Sequence, residues 1–327
     1  DPAECAALRR ALGDAARPVL HAFKAQAGHT LGAAGALELL ACVRAIEAGL
    51  LPATPVSGAL EPDLPGRVLE VVEAGDVHLA LKLSAAFGGA NAALVLSRER
   101  RERPRRTVRP VYLRAWAQIG PDDLPSLSEL IGVPRDRLAR LDTLCKLGLR
   151  AVAELGRIVG VETLRGAGIV AGHGLATLDT NDRFDARRRT KGPNYVDPRL
   201  FPATSPNAVA GECAIVFGLT GPSFAVNGGF DGGTEALVAA AEFVAAGDVE
   251  RMVIVAADDA GPAARDLLEW SGQAARKLAE GAVALLIEAT KADVSRQIDL
   301  DLRPSPKDGP IGHLALVDRL KQLLLTD

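Results

Sequence analysis

Two stretches limit the folds open to this chain: Met252-Val253-Ile254-Val255-Ala256 and Val283-Ala284-Leu285-Leu286-Ile287-Glu288 are apolar almost without a break. A strand that is apolar on both faces must be covered on both, and helices are the usual cover. The surrounding sequence supplies them. Leu37, Leu40, Val43, Ile46 and Leu50 recur at helical spacing between Ala33 and Gly49, with Glu38, Arg44 and Glu47 elsewhere on the wheel. Gly49 and Pro52 stop that helix. Leu237, Ala241 and Val244 mark the buried face of another, ending near Ala246. The expected class is therefore α/β, with layered α-β-α architecture and buried mixed sheets.

Taken in order, residues 3–16 are helix-compatible and Val19–Phe23 reads as a short buried strand. Strands are expected at Val68–Val72, His78–Ser84 and Ala92–Leu96, the last two joined through Phe87-Gly88-Gly89-Ala90-Asn91. Phe-Gly-Gly between strands is a backbone device, because glycine permits tight turns and close approach. Seven arginines and Pro104 lie between Arg98 and Arg109, either as a solvated linker or as an electrostatic dock for an acidic partner. A second unit opens with a strand at Val111–Trp116, followed by a helix over about 136–159 and a strand at Ala167–Ala171. Residues 183–206 read as polar loop, and 207–217 as helical. Ser223–Val226 is a strand feeding a Gly-rich turn.

A formal net charge of -3 over 327 residues carries no nucleic-acid footprint. Cys5, Cys42, Cys145 and Cys213 form no CxxC pair, so neither a zinc site nor a disulfide framework is indicated. No metal or cofactor is expected. No apolar run reaches about 18 residues and no signal peptide opens the chain. The expectation is a cytoplasmic protein with no membrane partner. Asp1-Pro2-Ala3-Glu4 without an initiator Met also reads as the start of a processed or truncated chain.

Chemistry concentrates in two stretches. Lys24-Ala25-Gln26-Ala27-Gly28-His29-Thr30-Leu31-Gly32-Ala33-Ala34-Gly35-Ala36 puts a lysine and a histidine five residues apart in a turn, with small residues opening a helix behind them. Gly221-Pro222-Ser223-Phe224-Ala225-Val226-Asn227-Gly228-Gly229-Phe230-Asp231-Gly232-Gly233-Thr234 reads as strand, tight turn and helix. Such an elbow suits acyl transfer. Backbone N–H groups at a helix N-terminus stabilise an oxyanion, and the same position lowers the pKa of a thiol placed there.

The Lys24 to Gly35 string, with the Phe87-Gly88-Gly89-Ala90-Asn91 loop, resembles the C-terminal part of a β-ketoacyl synthase, a condensing enzyme of the thiolase-like fold. Pro206-Asn207-Ala208-Val209-Ala210-Gly211, Gly218-Leu219-Thr220-Gly221-Pro222-Ser223 and Glu280-Gly281-Ala282 resemble the N-terminal part of the same family. The resemblance implies that His29 polarises a malonyl thioester carbonyl, that Lys24 supports the site electrostatically, and that Phe87 gates access to the nucleophile. It also divides the chain. Residues 1–98 are C-terminal-half-like, 99–109 a linker, 110–290 N-terminal-half-like, and 291–327 a partial C-terminal-half remnant.

Counting from Gly221-Pro222-Ser223, the family's nucleophilic cysteine falls on Phe230. A phenyl ring accepts no acyl group, because condensation needs a thiolate. The family's other histidine precedes a GDxxE stretch whose expected remnant is Asp1-Pro2-Ala3-Glu4, so the resemblance places that histidine just before residue 1. His313, in Gly312-His313, echoes the first motif and is expected to be a relic, while His173 is expected to be structural. The resemblance thus implies the end of a ketosynthase joined to a nucleophile-less, chain-length-factor-like partner of fatty acid or polyketide biosynthesis. Its implied partners are acyl carrier protein and acyl or malonyl thioesters, in a homodimer or ketosynthase heterodimer, with Phe230 filling the acyl site. The alternative is an inert module that binds an acyl chain or an acyl carrier protein. Activity through Cys145 or Cys213 is disfavoured, since neither lies on an elbow.

Overall fold

The structure is a computed structural model that describes residues 2–56, 58–85, 91–100, 107–226, 229–292, 296–298 and 309–325. These fall into two compact units, one drawn from Asp1–Ala85 and Asn91–Pro104, the other chiefly from Arg105–Asp327.

The first unit runs α1 (Pro2–Leu12), β1 (Val19–Leu20), α2 (Lys24–Ala27), α3 (Ala34–Ala48), β2 (Leu50–Leu51), β3 (Arg67–Val68), β4 (Glu73–Ala74), β5 (Leu79–Ala85) and β6 (Asn91–Ser97). β5 and β6 form an antiparallel ladder from Leu79↔Ser97 to Ala85↔Asn91, against which α3 packs. The sequence overstates two strands here. Ala22 donates its N–H to Thr54 Oγ1, and Phe23 turns into α2, so the first strand ends at Leu20. The strand expected over Val68–Val72 stops at Val68, the end of β3, because the Leu69 carbonyl accepts from the Thr54 N–H of a loop.

The second unit runs β7 (Tyr112–Ile119), α4 (Leu127–Ile131), α5 (Arg135–Leu138), α6 (Thr143–Val159), α7 (Val161–Leu164), β8 (Gly168–Gly172), α8 (Leu178–Lys191), α9 (Ala208–Phe217), β9 (Ser223–Val226), α10 (Gly232–Ala245), β10 (Arg251–Asp258), α11 (Pro262–Trp270), β11 (Gly281–Glu288), β12 (Arg296–Gln297) and α12 (His313–Leu325). Its mixed sheet has the order β12-β7-β11-β10-β8-β9. β10 is parallel to β8 and antiparallel to β11.

The doubly apolar strands serve two cores. Val253, Val255 and Ala257 of β10 face α6 and α9 on one side, whereas Met252, Ile254 and Ala256 face α10 and α12 on the other. β11 divides likewise, Ala284 and Leu286 from Leu285 and Ile287. Each fully buried aliphatic side chain contributes about 1.5–3 kcal/mol, so the sheet is the stable floor for the loops at its ends.

Two expectations are corrected. The helix read over 136–159 is broken, because Asp142 caps α6 by accepting the Cys145 N–H at 2.9 Å. The polar stretch after Arg183 is helical through Lys191. It lacks apolar periodicity because Asp182, Asp185, Arg188 and Arg189 pair along its surface, and such pairs support a helix that a hydrophobic pattern does not reveal.

Candidate functional site

In the first unit α2 is a single turn that begins at Lys24, and the Gly28 N–H closes it on the Lys24 carbonyl at 3.0 Å. Gly28 leaves at φ +74°, which favours glycine, and the chain passes through His29 and a 3-10 turn at Leu31–Ala33 into α3. The Leu31 N–H donates to His29 Nδ1 at 3.1 Å, which assigns the proton of a neutral ring to the exposed Nε2. Behind the turn stands Glu38. Its Oε1 lies 3.7 Å from Lys24 Nζ, and its Oε2 lies 2.8 Å from Lys82 Nζ on β5. Lys82 also donates to the Leu83 carbonyl at 2.9 Å and to Ser84 Oγ. Cys42 sits one turn beyond Glu38, and burial pushes its thiol up, with Lys82 opposing and Glu38 adding to the shift.

Lys24 thus opens α2, and His29 follows the glycine that closes it. Phe87 lies outside the described residues.

The elbow of the second unit is built by close approach of α10 to the end of β8. A Cβ on Gly232 would lie 2.1 Å from the His173 carbonyl oxygen, and one on Gly172 2.3 Å from that of Gly232. Only glycine fits either place. Phe230 sits in the 3-10 turn Gly229–Asp231 that leads into α10, and its carbonyl accepts the Gly312 N–H at 2.8 Å. The Arg276 guanidinium lies 4.4 Å above its ring, a cation–π contact of about 0.5–1 kcal/mol. Arg276 Nε donates in turn to Gln273 Oε1 at 2.9 Å.

Beside the elbow, the buried Asp258 carboxylate gathers three donors. Oδ1 accepts the Gly174 N–H at 2.7 Å, and Oδ2 accepts both the N–H and the Nδ1–H of His313, at 2.5 and 2.7 Å. His173 is fully buried with its ring nitrogens against the Ala257 and Pro206 carbonyls, at 2.9 and 3.0 Å. Cys145 and Cys213 are enclosed within α6 and α9, and burial pushes both thiols up. Neither is placed as a nucleophile. Among the described residues no group of three or more His, Cys, Asp or Glu could hold a metal ion, and no helix is long and apolar enough to cross a membrane.

Two family descriptions match this chain. Residues 95–276 match the family description "Beta-ketoacyl synthase, N-terminal domain", and residues 1–56 match "Beta-ketoacyl synthase, C-terminal domain". The chain belongs to the β-ketoacyl synthase family. It is 39% identical over 107 residues to the tetracenomycin polyketide synthase ketoacyl synthase alpha subunit of Streptomyces glaucescens, covering 32% of this chain and 25% of that protein. It is 33% identical over 113 residues to 3-oxoacyl-[acyl-carrier-protein] synthase 2 of Vibrio harveyi, covering 35% of this chain and 27% of that one. The matches therefore span about a quarter of these relatives' length. A solved structure described as "PfaC Keto synthase-Chain length factor" matches 87% of this chain and 41% of its own, at 14% identity and a TM-score of 0.62. That likeness is one of fold. The layered α/β class expected from the two apolar strands, and the thiolase-like form of it that the family resemblance implied, is the fold found.

Three residues of these two clusters, one in the first unit and two in the second, escaped the sequence reading. Arg276 and Asp258 act through residues distant in the chain, and nothing local marks them. Lys82 had a signal: it is the one charge in Leu79-Ala80-Leu81-Lys82-Leu83.

Proposed function

We propose that this β-ketoacyl synthase chain carries the closing part of a ketosynthase (residues 1–98) and, past the linker at 99–109, a nucleophile-less partner of the chain-length-factor kind (110–290), with 291–327 returning toward the C-terminal half. In this reading His29 polarises a malonyl thioester, Lys24 supports it and Phe87 gates the thiol of the condensing site. Phe230 fills the vacated site of the partner half and shapes the acyl tunnel. Acyl carrier protein delivers the thioesters, condensation occurs in a ketosynthase-type dimer, and the setting is the cytoplasm. The relatives' printed names, an alpha subunit of a polyketide synthase and a 3-oxoacyl-[acyl-carrier-protein] synthase, support this reading.

One observation carries it: at the head of α10, where acyl transfer requires a thiolate, stands a phenyl ring covered by Arg276. The test is intact-mass spectrometry after incubation with an acyl-pantetheine thioester. The natural chain stays unlabelled, and Phe230→Cys gains one acyl group that maps to position 230. A stable acyl adduct on the natural second unit overturns the proposal.

A further inference from the structure

The unusual charge of the first unit is Lys82. It lies on β5 between two leucines and is 5% exposed. A buried ammonium persists only with close partners, and here it has three: Glu38 Oε2 at 2.8 Å, the Leu83 carbonyl at 2.9 Å, and Ser84 Oγ. Lys24 differs on every count. Its side chain is 49% exposed, and its ammonium stays 3.7 Å from the other Glu38 oxygen. Coulomb attraction grows with shorter distance and with exclusion of water, so of the two lysines Lys82 dominates Glu38.

We propose that Lys82, rather than Lys24, is the cation that holds Glu38, and that it is a positioning residue for His29. The route is short. Glu38 projects from the first half of α3, and the turn bearing His29 feeds directly into that helix. Fixing Glu38 to β5 fixes the helix end from which the His29 turn departs. One buried cation thus ties the histidine turn to β5. The functional meaning rests on Lys24–Ala36 being an acyl-transfer turn, but the pairing itself does not.

Cys42 reports on the pairing. It lies on α3, half-buried, and the charged groups acting on its thiol are Lys82 from β5, which favours the thiolate, and Glu38 from its own helix, which disfavours it. Cys5, Cys145 and Cys213 are buried. The experiment follows iodoacetamide alkylation of Cys42 against pH in the full chain, read by peptide mass spectrometry. Lys82→Met, close to the same shape without the charge, is expected to move the profile to higher pH and to slow alkylation several-fold at fixed mildly alkaline pH. Lys82→Arg restores the profile, and Lys24→Met leaves it unchanged. A purely packing role for Lys82 would leave the Lys82→Met profile where it began, and that result overturns the proposal. If Lys82→Met does not fold, Glu38→Gln must move the profile to lower pH while Lys24→Met leaves it in place; a shift in Lys24→Met then overturns it. No condensation assay enters, so a chain inactive in acyl transfer passes or fails on this thiol alone.

Discussion

His313 donates from both its backbone N–H and its Nδ1 to the same oxygen of Asp258, at 2.5 and 2.7 Å. Since the Gly174 N–H occupies the other oxygen, one buried carboxylate joins the end of β8, the end of β10 and the head of α12. This arrangement gives the second Gly-His its structural sense. The imidazole is held by its Nδ1 face in a closed site, beside an elbow with no thiol to serve.

Asp258→Asn is therefore expected to be costly even though the side chains match in size. An amide supplies one carbonyl acceptor where the carboxylate supplies two, so at least one donor is left unpaired or an N–H is set against an N–H. Hydrogen bonds to a charged group contribute about 1.5–3 kcal/mol each, which predicts a loss of roughly 3 kcal/mol in urea unfolding. An unchanged unfolding midpoint would show that the carboxylate is not what ties these three elements together.

The contact between β8 and α10 makes a second demand. Gly172→Ala or Gly232→Ala would drive a methyl group to 2.3 or 2.1 Å from a backbone oxygen, and backbone cannot swing aside as a side chain can. Either change should cost more than about 2 kcal/mol or abolish soluble expression, at the overpacked end of core substitutions. Thermal unfolding of both variants within a degree or two of the parent would contradict the close approach.

How much of this could be read in the sequence follows from where the information lies. Met252–Ala256 and Val283–Glu288 announced the buried sheet because two-sided burial writes itself into every residue of a strand. The Lys24 to Gly35 string and the elbow before α10 were legible because turns need particular residues at fixed offsets. The helix over 183–191 was missed because ion pairs such as Arg189 with Asp185 replace an apolar face. Arg276 over Phe230 and Asp258 with His313 join residues 46 and 55 positions apart, and no local pattern encodes such meetings.

Arg276 over Phe230 carries a third prediction. A cysteine at position 230 would stand at the head of a helix and beneath a guanidinium, both of which favour the thiolate. Phe230→Cys should therefore be alkylated with a midpoint below the ~8.5 of an ordinary cysteine, and adding Arg276→Ala should raise that midpoint. Identical midpoints in the single and double variants would remove Arg276 from any electrostatic part at the elbow. In the natural chain Cys145 and Cys213 should react with the same reagent only on unfolding, because both are enclosed.

Asp259 makes the unfolding equilibrium depend on pH in the less common direction. Burial is the main cause that pushes its carboxyl up to about 6, with Asp179 and Glu280 adding repulsion and Arg183 opposing. Between its ordinary value near 4 and about 6, the folded chain keeps a proton that the unfolded chain has released. The contribution of Asp259 is therefore present at low pH, declines as pH rises through that window, and above about 6 leaves a charged carboxylate in an acidic, half-buried place. Asp259→Asn keeps the shape and deletes the titration. The variant should be more stable than the parent near neutral pH, and the gap in melting temperature should shrink as pH falls from 6 toward 4. Comparing the two proteins cancels the other carboxylates, whose own titrations are shared. A gap that stays constant across the window would mean that the shift at Asp259 does not exist.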